Sequence, residues 1–85
     1  MAFRVTGAVK RLYVTEGLTH IRLQIPEDEA PKDGYFDLQQ SHPNYNALFS
    51  LALSAAINGY PLQIRTRGEI DPAQPINVQY LVVDW

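Results

Sequence analysis

The stretch PNYNALFSLALSAAINGYPLQIRT, Pro43 to Thr66, decides how the chain is read. Its first part predicts a helix over Pro43 to Asn58, a segment with no Asp, Glu, Lys or Arg. Pro43 suits a first helical turn, where its missing N–H costs nothing, and Ser41 or His42 is placed to cap. Asn58-Gly59 is a stop signal: Gly59 suits a left-handed residue, and Pro61 follows soon after. Leu62, Ile64 and Thr66 then alternate with Gln63, Arg65 and Arg67, the period of a strand with one buried face.

Upstream, Phe3 to Val14 predicts a long first strand. Phe3 and Val5 alternate with Arg4 and Thr6, Gly7 breaks the pattern, and Leu12 and Val14 resume in the other phase. A phase slip at a glycine predicts a bulge or a sharp bend. Glu16-Gly17 is a tight turn. Leu18 to Ile25 forms the second strand, with Thr19, Ile21, Leu23 and Ile25 on one face and His20, Arg22 and Gln24 on the other. Pro26 to Gly34 is a polar loop. Tyr35 to Leu38 is a short third strand, with Phe36 and Leu38 inward. Downstream, Gly68 to Pro75 is a loop and Ile76 to Trp85 a last strand. The fold class is mainly β with one helix, in the order β-β-β-α-β-β. With a first strand bent to serve two sheets, this is the layout of a five-stranded OB-fold barrel. Closure would remove sheet edges, which suits a small chain. An open α+β sheet with the helix on one face is the competing architecture.

Composition narrows the function. A chain of 85 residues has room for one domain, 1–85, with one core. Apolar content of 46% is too high for disorder. The absence of cysteine excludes disulfides and thiolate metal sites. A formal charge of -2 argues against broad nucleic-acid binding. No apolar run reaches the length of a membrane span, so membrane insertion is not expected. The opening MAFRVTGAVKRLYVTEG has neither an apolar h-region nor a cleavage site, which points to a cytoplasmic protein; a secreted form would need a leader removed from this sequence.

The helix carries the main signal of assembly. Leu48, Leu51, Ala52 and Ala55 form a core stripe, and Tyr45, Phe49, Ala52 and Ala56 a second, overlapping one. Leu53 and Ile57 widen it. The remaining arc, Asn46, Ser50, Ser54 and Asn58, is small and uncharged, where a monomer's surface helix usually carries Glu and Lys. The small barrel covers one side only, so another copy of the chain is expected on the second. The expected interface is Phe49, Ser50, Leu53, Ser54 and Ile57, with Arg65 and Arg67 pairing with a neighbour's carboxylates. Glutamate at Ala52 or Ser54 should then dissociate the assembly. The alternative is that a loop such as Pro26 to Gly34 drapes over the helix.

The segment YFDLQQSHPNYNALFSLALSAAINGYPLQIRT, closed by VQYLVVDW, resembles small OB-fold proteins related to the B subunits of pentameric bacterial toxins. The shared pattern is an aromatic third strand, a Pro-x-Tyr helix start, an Ala-Leu-x-Ser helix with a Gly turn, and a V-x-Y-aliphatic last strand. It covers Tyr35 to Trp85; the first two strands match in layout only. The resemblance implies a ring, commonly a pentamer, with helices near its axis, and recognition of glycans without catalysis. The chain departs from secreted relatives in lacking their two cysteines and their leader, which fits a cytoplasmic relative.

Few residues suit chemistry. His20 and His42 lack the three or four converging ligands of a metal site, and no metal or cofactor is expected. Ser41, His42 and Asp37 could be imagined as a triad, but neighbours in sequence rarely meet in that geometry, so no enzyme is expected. PEDEAPKD, Pro26 to Asp33, reads as a solvated acidic loop without calcium spacing. Arg11, Tyr13, Arg22 and Tyr35 form a candidate ligand patch on a strand face, with Trp85 as a further contact; Tyr45 and Tyr80 are assigned to packing. The expected function is a homo-oligomeric, non-enzymatic binding module for a glycan or small polar molecule. The alternatives are a single-stranded nucleic-acid binder, disfavoured by the acidic loops, and a structural adaptor.

Overall fold

The computed structural model describes residues 2–85. It holds six strands and one helix: β1 Arg4–Gly7, β2 Val9–Val14, β3 Leu18–Leu23, β4 Phe36–Gln39, α1 Tyr45–Asn58, β5 Leu62–Thr66 and β6 Val78–Val83. The strands form two antiparallel sheets, β1–β5–β6 and β2–β3–β4. The fold is thus mainly β with one helix.

The expected long first strand is two strands, one in each sheet, parted at Ala8. The cause is a close approach at Gly7: a Cβ there would lie 2.8 Å from Ile25 Cγ2 and 2.9 Å from the Gln24 carbonyl oxygen. Only glycine lets the backbone pass so near, and the Gln24 N–H donates to the Ala8 carbonyl at 2.8 Å. A register shift follows between Val9 and Arg11. The sheets touch a second time where Asp37 of β4 forms an isolated parallel bridge with Asn77, just before β6. There the Asp37 N–H donates to the Ile76 carbonyl at 3.0 Å.

Alternation sets the core. Thr19, Ile21 and Leu23 of β3, Phe36 and Leu38 of β4, and Leu62, Ile64 and Thr66 of β5 are buried, and their neighbours face outward. The two buried threonines are satisfied: Thr19 Oγ1 lies 2.5 Å from the Tyr45 hydroxyl, and Thr66 donates to the Gly68 carbonyl at 2.6 Å. Tyr45 is therefore a packing residue, as expected. Tyr80 is not, being 45% exposed on β6.

Helix α1 begins at Tyr45 instead of Pro43, because residues 42–44 form a turn. His42 organises that turn: its Nδ1 accepts the Asn44 N–H at 3.0 Å and its Nε2 donates to the Gln79 carbonyl at 2.9 Å. Gly59 ends the helix at φ 72, in the left-handed region, as the sequence predicted. Leu48, Ala52 and Ala55 are buried, while Leu53 is 39% and Ile57 74% exposed. No loop of the described residues drapes over Ile57. Ala52 is fully buried in the chain's own core, so it belongs to no outer surface and Ala52→Glu would disrupt folding instead of assembly. Phe49 is half-buried, stacked on Tyr45 at 5.9 Å and packed on the core, so the open arc narrows to Ser50, Leu53, Ser54 and Ile57. The helix is not long and apolar enough to cross a membrane.

Candidate functional site

Strand pairing builds one outer face from residues far apart in sequence. Across β2 and β3, Tyr13 faces His20 and Arg11 faces Arg22; across β3 and β4, His20 faces Asp37. Because Thr19, Ile21, Phe36 and Leu38 point inward, His20, Arg22 and Asp37 point out. Tyr35, just before β4, joins them.

The side chains hold one another. Tyr13 stacks on His20 with centroids 4.6 Å apart and meets Tyr35 edge-on at 5.2 Å. His20 in turn meets Tyr35 at 6.1 Å. The Arg11 guanidinium lies over Tyr13 at 5.4 Å from its centroid, and that of Arg22 over Tyr35 at 5.5 Å. Such cation–ring contacts are worth about 0.5–1 kcal/mol at exposed positions. Gly34 lies beside Arg22: a Cβ there would rest in ordinary contact, 3.4 Å from Arg22 Nε. Gly34 also sits at φ 81, which favours glycine.

His20 is the hub. Its Nδ1 lies 2.9 Å from Asp37 Oδ1, and its Nε2 lies 3.2 Å from Thr15 Oγ1. A neutral ring donating from Nδ1 to Asp37 leaves Nε2 to accept from Thr15. A protonated ring donates to both, and Thr15 then turns its proton to the Leu18 carbonyl at 3.2 Å. In either state the ring is fixed from both ends. The set imagined from neighbours in sequence does not form: Asp37 pairs with His20, while His42 serves the helix start.

Beside these rings runs a groove of about 490 Å³, lined by Tyr13, His20, Tyr35 and Asp37 and walled by Lys32, Asp33 and Pro75. Its walls come from the two loops, tied where the Lys32 N–H donates to the Gln74 carbonyl at 2.9 Å. Aromatic faces, an ammonium and two carboxylates in one concavity suit a ligand with apolar faces and polar edges. A larger hollow of about 610 Å³ shares Asp33 with it and is lined by Arg22, Glu27 and Asp28.

Of the sequence candidates, Arg11, Tyr13, Arg22 and Tyr35 come together. Trp85 does not join them; it is 90% exposed and stacks on Tyr60 at 6.1 Å. Arg65 lies over the Phe3 ring at 5.4 Å on the other sheet, and Arg67 is exposed just past β5. Sequence reasoning missed Thr15, His20 and Asp37 as parts of the patch. The signal for the last two was present, since alternation places both on the outward side. Comparison with family models, curated proteins and solved structures finds no match to this chain.

Proposed function

We propose that this chain is a non-enzymatic binding module, an OB-type barrel that takes a small polar ligand, a sugar foremost, on the outer face of β2–β3–β4 and assembles with copies of itself. Three features support the barrel reading. β1 and β2 run on from one another through Ala8, so one bent segment serves both sheets. The bridge from Asp37 to Asn77 joins the sheets at the opposite side. The helix lies between the third and fourth strands of that count. OB-folds take oligosaccharides and oligonucleotides on the face of their second and third strands and on adjoining loops, the place of the Tyr13–Tyr35 groove.

The observation that carries the binding reading is the right-angled meeting of Tyr13 and Tyr35 beside a carboxylate held by His20. The C–H face of a sugar ring packs on such a π face while its hydroxyls bond to carboxylate and ammonium. The test is titration with a panel of simple sugars, followed by NMR. Tyr13→Ala and Tyr35→Ala are each expected to weaken binding roughly fivefold or more, the loss of a stacking contact worth about 1–3 kcal/mol, in a protein that stays folded and melts several degrees lower for its lost ring contacts. Sugar binding tolerates salt. A steep loss of affinity with salt, seen with an oligonucleotide instead, would favour the nucleic-acid reading.

Self-assembly is supported by the open arc of α1, which pairs exposed Leu53 and Ile57 with uncharged Ser50 and Ser54. Light scattering coupled to size exclusion should give a multiple of the chain mass, reduced in Ser54→Glu, which buries a charge in that contact. A monomeric native protein would remove this part of the proposal.

A further inference from the structure

Arg11 and Arg22 face one another across the β2–β3 ladder, on the same side of the sheet. Like charges directly opposite in a ladder destabilise it, and a sheet usually relieves them with a carboxylate. Here carboxylates are near but not engaged. Arg22 borders the hollow rimmed by Glu27, Asp28 and Asp33, yet among the described residues the one carboxylate within 4 Å of a basic side chain is Asp37, and its partner is His20. Both guanidiniums instead lie over tyrosine rings, which hold them in place and leave their N–H donors free of any carboxylate. Five donors in a planar fork match a carboxylate or a phosphate, and the two rings beneath these forks meet edge-on at 5.2 Å.

We infer that Arg11 and Arg22 form an anion-recognising pair, so that the ligand of this face is a ring bearing a carboxylate or phosphate. The inference rests on the reading of this face as the ligand site and adds the charge of the ligand to it. The bound anion would offset the opposition of the two arginines, while the ring it carries would lie against Tyr13 and Tyr35. The acidic groups around it, Asp33 and Asp37 in the groove and Glu27 and Asp28 beyond Arg22, would repel a long polyanion and tolerate a single charge set between the guanidiniums.

Matched probes test this by calorimetry or NMR: glucuronate against glucose, and adenosine monophosphate against adenosine. The charged member of at least one pair is expected to bind roughly tenfold or more tightly than its neutral partner, as for a hydrogen bond to an ionised group. Glucuronate showing the gap assigns a carboxylate, and the nucleotide a phosphate. The gap should shrink to about twofold in the double variant Arg11→Gln/Arg22→Gln, since only remote charges then remain. It should persist in Arg4→Gln/Arg65→Gln, which removes the same charge from the other sheet. Equal affinities within both pairs, no binding of either charged probe, or a gap that survives Arg11→Gln/Arg22→Gln would overturn the inference. Equal affinities that still fall in Tyr13→Ala would leave the binding face standing and remove only its preference for charge. Binding of every probe unchanged in the tyrosine variants would remove the face itself.

Discussion

On the β2–β3–β4 sheet Arg11 faces Arg22 across the ladder, and on the β1–β5–β6 sheet Arg4 faces Arg65. Each pair includes an arginine lying over an aromatic ring, and neither pair has a carboxylate within ion-pair distance among the described residues. What differs is the third strand. β4 brings Asp37 against His20 and leads in with Tyr35, which closes a cluster of mutually held rings. β6 brings Tyr80 opposite Arg65, and Tyr80 remains 45% exposed. The first face is also walled by two tied loops that supply Lys32, Asp33 and Pro75. Outward arginines alone do not make a site. Concavity and side chains that orient one another do, because fixed groups lose less entropy when a ligand arrives.

The comparison presumes that both faces hang on one core, and the largest expected effect tests that. Phe36→Ala beneath the first face and Ile64→Ala beneath the second each remove a fully buried side chain. Losses of about 3–5 and 2–5 kcal/mol are expected from denaturant unfolding. In hydrogen exchange each variant should loosen both sheets together. Exchange confined to the mutated sheet would show that the faces are separate units.

Next comes the hinge between the faces. Gly7→Ala would press a methyl group against Ile25 and the Gln24 carbonyl, and a loss of about 1–3 kcal/mol is expected, as for overpacking. Leucine-scale plasticity at Ile25 alone would relieve the side-chain contact but not the one with backbone. A neutral result would mean that the chain does not need this approach to pass from one sheet to the other.

The smallest effect on stability sharpens the comparison most. Asp37→Asn removes the carboxylate that orients His20, in a hydrogen-bonded pair whose side chains are each 17% exposed. A stability change within about 1 kcal/mol is expected, as for a pair near the surface. Sugar binding should nonetheless weaken severalfold, while Tyr80→Ala on the other face leaves it unchanged. Equal losses in both variants would erase the distinction between the faces.

Much of this was legible in the chain. Thr19, Ile21 and Leu23 inward with His20 and Arg22 outward follows from a period of two, and so does the inward set Leu62, Ile64 and Thr66. The helix end at Gly59 followed from the need for positive φ. The arginine–tyrosine patch was legible for the same reason as the core, since one alternation defines both. The division of the first strand at Ala8 was legible only as a slip at Gly7. The helix start moved because His42 bonds to Gln79, a partner from the last strand. Ala52 read as shared between two stripes, and only the packing against the strands showed it wholly inward.

Periodicity and turn chemistry act over a few residues, so the sequence by itself determined the helix, its chargeless arc, the order of the strands and the inward sides of β3, β4 and β5. Register acts over long separations. Whether Arg11 meets Arg22, and whether Asp37 rather than another acid reaches His20, depends on how strands align after the shift between Val9 and Arg11. That alignment is set by core side chains from both sheets packing at once, where a slip of a single residue would turn a buried face to water. The tertiary structure therefore decided which outward residues became neighbours, and with them the groove, the His20–Asp37 pair and the opposed arginines.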